Sequence, residues 1–201
     1  MKKRLLPLIA LCLAFIICLS ACSGEKTVTP TDADASSEAE TTGNTLPDGH
    51  DVFGIFTTRT VDGEEVDQSI FEGKITMVNI WATYCGPCIN EMPFIERISK
   101  EYADKNLQVV GIVSDVYLYP DGSHDPTLMR EAEKVIANTG VSYLNLLPSE
   151  SLNKNKLNAV RYVPETVFLD EKGNVIGESY IGSSSYEDWK LVVESVLASV
   201  E

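Results

Sequence analysis

The chain is predicted to fold as an α/β domain, a central sheet flanked by helices, and three observations carry that expectation. Two runs, Ile75–Trp81 and Leu107–Val113, are almost continuously apolar or β-favouring, as strands covered on both faces are. Helical patterns follow each of them, and the last aligns Trp189, Val192, Val193, Val196, Leu197 and Val200 on one face. Hairpin patterns precede the first strand and the last helix.

Each element has its own local reason. Residues 53–60 and 64–67 form a hairpin around the Asp62-Gly63 turn. The strand Ile75–Trp81 leads into a helix opened by Gly86-Pro87, with Met92, Ile95, Ile98 and Tyr102 near helical spacing and Pro93 expected to kink it. After Leu107–Val113, residues 127–138 are helical and end at Gly140. A short strand at 143–147 and a short helix at 149–157 come next. Residues 165–170 and 174–181 form a second hairpin across Glu171-Lys172-Gly173, and Ser185 caps the last helix with Asp188 three residues on.

The N-terminus is of a different kind. Lys2, Lys3 and Arg4 precede an apolar run from Leu5 to Leu19, shorter than the roughly 20 residues of a spanning helix but suited to a signal peptide. It ends Leu19-Ser20-Ala21-Cys22, which resembles the lipobox of bacterial lipoproteins; the alternative is an ordinary cleaved signal with an incidental cysteine. Residues 1–21 are thus expected to be a lipoprotein signal, with Cys22 lipidated and the protein exported. Residues 22–50 lack aromatics and have almost no large aliphatics, so they are expected to be a flexible tether reaching roughly 30 Å. Residues 51–201 then form one domain, long enough for a sizeable core.

The net charge of −14 becomes three units more negative without Lys2, Lys3 and Arg4. That excludes a nucleic-acid partner and makes an anionic membrane surface repulsive, leaving a lipid anchor as the expected route to the membrane.

Chemistry concentrates at Cys85-Gly86-Pro87-Cys88. A C-x-x-C by itself fits a redox pair, half a zinc site or chance. At the start of a helix, positions i and i+3 lie within bridging distance, and the helix N-terminus favours a thiolate at Cys85 while Cys88, one turn in, is shielded. Removal of Cys12 and Cys18 with the signal and lipidation of Cys22 leave Cys85 and Cys88 as the free thiols. Zinc needs two further ligands, and His50 and His124 form no ligand pattern with them.

The run Val78-Asn79-Ile80-Trp81-Ala82-Thr83-Tyr84-Cys85-Gly86-Pro87-Cys88, with Glu91-Met92-Pro93 behind it and Tyr162-Val163-Pro164 further on, resembles the TlpA/ResA-like thioredoxin-fold oxidoreductases. The resemblance covers residues 51–201. It implies a thioredoxin-like fold with a central mixed sheet flanked by helices, an N-terminal β-hairpin and a central inserted segment. It also implies a Cys85–Cys88 redox disulfide, with Cys85 attacking, Cys88 resolving, and no cofactor or metal. Gly86-Pro87 matches the dipeptide of reducing thioredoxins, within a family range of potentials of roughly −270 to −120 mV. Trp81, Tyr84, Gly86, Pro87, Val163 and Pro164 are the supporting residues, the Val163-Pro164 peptide being cis so that the Val163 backbone can pair with an extended substrate.

ResA-like proteins carry an active-site glutamate where this chain has Glu91, and Asn79 stands where thioredoxins hold a buried aspartate. The expectation is that Glu91 accepts the Cys88 proton, against the alternative of a solvated surface glutamate. Two departures from the family are Tyr84 in place of tryptophan and Glu165 in place of threonine. Glu165 either brings negative charge toward Cys85 or points away. The implied partners are protein disulfides (apocytochrome c, methionine sulfoxide reductase or misoxidised exported proteins) and a transmembrane thiol donor of the CcdA type. The peroxiredoxin alternative needs a P-x-x-x-T-x-x-C setting that the sequence lacks, and a non-catalytic binding lipoprotein would not need both thiols and Pro164.

Overall fold

A computed structural model describes residues 52–200. The expected signal 1–21, Cys22, the linker 22–50, His50 and Asp51 lie outside the described residues, as does Glu201.

The first hairpin pairs β1 (Thr57–Arg59) with β2 (Glu65–Asp67), antiparallel, Thr57 opposite Asp67 and Arg59 opposite Glu65. Its first arm is shorter than the expected 53–60. Phe53 and Phe56 turn inward instead, their rings 5.3 and 5.7 Å from that of Phe71. Burying the two phenylalanines is worth about 3–6 kcal/mol, more than the roughly 1–3 kcal/mol of two further ladder hydrogen bonds.

β3 (Ile75–Trp81) is central, and all seven of its residues are buried. It runs parallel to β4 (Leu107–Val113), in register from Ile75 opposite Leu107 to Trp81 opposite Val113. β5 (Leu144–Leu146) is parallel to β4 on one side. On the other side β6 (Glu165–Leu169) is antiparallel to β3, and β7 (Val175–Ile181) is antiparallel to β6. The order is therefore β5-β4-β3-β6-β7, a mixed sheet. The hairpin docks on β5 through Leu147 N–H to the Arg59 carbonyl and Val61 N–H to the Asn145 carbonyl, both 2.8 Å.

Strand alternation sorts the core into two layers. Met77, Trp81, Val109, Val113 and Phe168 face α1 (Gly86–Glu101), α2 (Pro126–Thr139) and α4 (Tyr186–Val200). Val78, Ile80, Val110, Ile112, Val167 and Leu169 face the three phenylalanines and α3 (Glu150–Asn155), which contributes Leu152. α1 continues through Pro93 without ending. Asp125 caps α2, accepting from the N–H groups of Thr127 and Leu128 at 2.8 and 3.0 Å. Ser185 and Asp188 hold the start of α4 reciprocally, at 2.7 and 3.2 Å. Its apolar face stops short of the expected Val200, which is 43% exposed.

One rung of the sheet is polar: Thr166, Asn79, Gly111 and Asn145 lie opposite one another on β6, β3, β4 and β5. Gly111 is required there. A Cβ on it would fall 2.1 Å from the Asn145 Oδ1, which accepts from Trp81 Nε1 at 2.9 Å. Gly111→Ala is expected to cost about 1–3 kcal/mol through overpacking, read as a lower urea midpoint; an unchanged midpoint would contradict this packing.

Candidate active site

β3 delivers the chain to its C-terminal end, where Ala82-Thr83-Tyr84 bend into α1. Cys85 caps that helix with extended backbone, and its Sγ accepts from the Cys88 N–H at 3.2 Å. The two cysteines are disulfide-bonded, their Cα atoms 5.3 Å apart. Cys85 retains 6% exposure while Cys88 has none, so the first sulfur is the one a partner can reach. Pro87 lies in the first turn of the helix, where its missing N–H costs nothing. A Cβ on Gly86 would meet nothing within 4 Å, so no steric requirement explains that glycine.

The Val163-Pro164 peptide is cis, and the Val163 carbonyl lies 3.6 Å from the Cys85 Sγ. Tyr84 and Tyr162 flank this junction and are 78% and 72% exposed. Trp81 is buried behind it. Cavities of ≈ 580 and ≈ 660 Å³ lie elsewhere and are lined by neither cysteine.

Glu91 is the buried charge of the site. It lies one turn after Cys88 and is 0% exposed, unlike an ordinary helix-surface glutamate. Oε1 accepts from Asn79 Nδ2 at 3.1 Å. Oε2 accepts from the Ser184 N–H at 3.0 Å and Trp189 Nε1 at 3.2 Å. Burial pushes its carboxyl above the usual glutamate value, outweighing the three N–H contacts that pull it down.

Glu165 points away from the disulfide. It pairs with Ile80 in the antiparallel register and shares that residue's side of the sheet, opposite α1, where it forms an ion pair with Lys156. Five further contributors were not singled out from sequence. Asp115, at the end of β4, accepts from the Thr83 N–H at 3.0 Å and the Thr83 hydroxyl at 2.6 Å, tying down the turn that holds Cys85. Asn145 positions Trp81, and Lys156 neutralises Glu165. Ser184 and Thr166 complete the contacts around Glu91 and Asn79. Trp189, expected only as core, also donates to Glu91. Apart from Lys156 and Glu165, nine positions apart, these contacts join residues 32 or more positions apart, which no local spacing displays.

Residues 41–188 match the Redoxin family. The chain belongs to that family. This redoxin is 33% identical over 136 residues to the thioredoxin-like protein YneN of Bacillus subtilis, covering 66% of the chain and 71% of YneN. It is 25% identical over 121 residues to the thiol-disulfide oxidoreductase ResA of Halalkalibacterium halodurans, covering 60% of the chain and 62% of ResA, less than two thirds of that relative's length. In fold it is similar to a solved thiol:disulfide interchange protein DsbE of Chlorobium tepidum, with a TM-score of 0.59, 21% identity, and coverage of 76% of this chain and 99% of that one. The redoxin is thus a TlpA/ResA-like, thioredoxin-fold thiol-disulfide oxidoreductase, and dithiol exchange through its Cys85–Cys88 pair is its chemistry.

Two outcomes follow from the buried charges. Because Glu91 has a raised pKa in the fold, the folded protein holds that proton more tightly than the unfolded chain does. Its contribution is fully present below the ordinary glutamate value and is lost as pH rises through the raised one. The stability of oxidised wild type relative to Glu91→Gln is therefore expected to fall across that window and then level off. Thermal unfolding over a pH series checks this, and a constant difference would refute it. Separately, Lys156→Met leaves the Glu165 carboxylate buried without its cation and is expected to cost about 3–5 kcal/mol in urea unfolding. Adding Glu165→Thr should restore much of that loss.

Proposed function

We propose that this redoxin is an exported disulfide reductase, tethered to the outer face of a bacterial cell membrane by a lipid on Cys22 and the linker 22–50. The observation that carries the reducing direction is the fully buried Glu91 one turn behind Cys88. A carboxylate there disfavours a neighbouring thiolate and so favours the disulfide form of the protein, which makes the dithiol the better electron donor. Gly86-Pro87 supports the same direction.

The reduced site begins as a Cys85 thiolate and a Cys88 thiol. The thiolate, stabilised at the helix N-terminus, attacks one sulfur of a substrate disulfide. A bond forms between Cys85 and that sulfur, and the other substrate sulfur leaves as thiolate. Cys88 then gives its proton to Glu91 and attacks the Cys85 sulfur. The mixed disulfide breaks, the second substrate sulfur departs, and the Cys85–Cys88 disulfide remains. Two electrons have passed to the substrate. An extended substrate segment lies along the Val163 backbone beside Pro164, between Tyr84 and Tyr162.

The substrates that suit this reading are disulfides of exported proteins, apocytochrome c, methionine sulfoxide reductase and misoxidised proteins among them. A transmembrane thiol donor of the CcdA type restores the dithiol. Among the described residues no helix is long and apolar enough to cross a membrane, so the proposed attachment rests on the N-terminal signal and Cys22.

Insulin disulfide reduction is expected to proceed with wild type and to be abolished in Cys85→Ser, while Cys88→Ser accumulates the mixed disulfide. A potential measured against glutathione should lie toward roughly −270 mV, and a value near −120 mV would overturn the reducing direction.

A further inference from the structure

Asn79 lies in the middle of β3 and is completely buried. Its Nδ2 donates to Glu91 Oε1 at 3.1 Å and to Thr166 Oγ1 at 3.0 Å. Its Oδ1 is buried with no hydrogen-bond partner. An orphaned amide oxygen is a cost that an apolar side chain of the same shape would not carry. The amide must therefore do something here that a leucine could not.

The two ends of an amide have opposite hydrogen-bonding character and nearly the same shape. A half-turn of the Asn79 amide places Oδ1 where Nδ2 now sits, facing Glu91 Oε1 and Thr166 Oγ1. From there it accepts from both hydroxyl groups once Glu91 carries a proton. That proton belongs on Oε1, because Oε2 already receives two N–H donors, from Ser184 and Trp189, and keeps them as a carbonyl oxygen. Each orientation leaves one end of the amide unpaired, so neither protonation state of Glu91 loses its partner.

We propose that Asn79 is a positioning residue that turns its amide over as Glu91 gains or loses its proton, keeping the carboxyl hydrogen-bonded in both states. This rests on the reading of Glu91 as acceptor of the Cys88 proton. The step is a proton transfer alone: a thiol and a carboxylate become a thiolate and a carboxylic acid, and the amide reorients.

The groups facing Glu91 leave it free to titrate independently of other carboxyls. β3 supplies Asn79, β6 supplies Thr166, the approach to α4 supplies Ser184, and α4 supplies Trp189. Its own helix supplies Cys88. Tyr143 feels the charge of Glu91, but burial, with Glu91 and Glu96 behind it, pushes its hydroxyl far above neutrality. Glu96 is held low by Lys100 and Ser142. An aspartate at position 79 would change this, since two carboxyls about 3.1 Å apart must share one proton.

The test follows the Asn79 side-chain NH₂ signals by ¹⁵N NMR over a pH series, in the oxidised chain and in Glu91→Gln. The expected result is one titration step in wild type that vanishes in Glu91→Gln. In parallel, Asn79→Asp should move the pH midpoint for resolution of the mixed disulfide upward by about one unit, roughly tenfold in rate near neutrality. A stationary Asn79 signal, with Glu91→Gln still altering the pH profile of mixed-disulfide resolution, overturns the amide switch and leaves Glu91 as acceptor. An unaltered profile in Glu91→Gln overturns the acceptor itself, and the switch with it. The NMR arm needs only wild type and the isosteric Glu91→Gln, so poor folding of Asn79→Asp does not spare the proposal.

Discussion

β3 has hydrogen-bonded neighbours along both edges and packed layers on both faces, so none of its residues meets water. That confinement governs everything built on it. Apolar side chains at Met77, Val78 and Ile80 satisfy it by packing, whereas the polar and amphipathic ones must find partners inside the protein. Trp81 finds Asn145, which fits only because Gly111 has no side chain. Asn79 finds Thr166 and Glu91. The strand's last residue then hands the chain to Cys85 from a fixed position, and Asp115 fastens the intervening turn through Thr83.

Glu91 is the matching constraint from the helix side. A carboxyl with no exposure needs hydrogen-bond donors, and here they come from a strand, a loop and α4 together. The same donors make the group usable. They hold it behind Cys88 without neutralising it, as a lysine or arginine would. Glu165 is treated in the opposite way: buried on the far side of the sheet, it is given a full cation in Lys156, and its charge is spent on structure.

The sequence was most legible where a single residue type repeats under one physical rule. Ile75–Trp81 and Leu107–Val113 have the bounds expected of them because continuous burial leaves a continuous apolar record. The C-x-x-C and the helix it opens were also readable, as local motifs, and the cis Val163-Pro164 junction followed from the family resemblance. Residues 53–60 misled because their aromatic and β-branched composition suits a strand, whereas Phe53 and Phe56 serve as two anchors folded inward. The orientation of Glu165 depends on its register with Ile80, a fact about pairing rather than about either segment. The bond from Ser184 to Glu91 spans 93 positions, so no local spacing displays it.

The two edges of the sheet are guarded unequally. On the β5 side the hairpin lies across the strand, with Thr60 bridged to Leu146 and the neighbouring backbone groups already paired. On the β7 side the last five residues of the strand are exposed, but the pairing slips between Thr166 and Phe168, and Gly177 sits at a φ of 70°. A strand from another molecule seeking to extend the sheet there meets a twisted, irregular template with Glu178 along it. A protein that exchanges disulfides with other proteins thus offers them its sulfur while giving them little to polymerise upon.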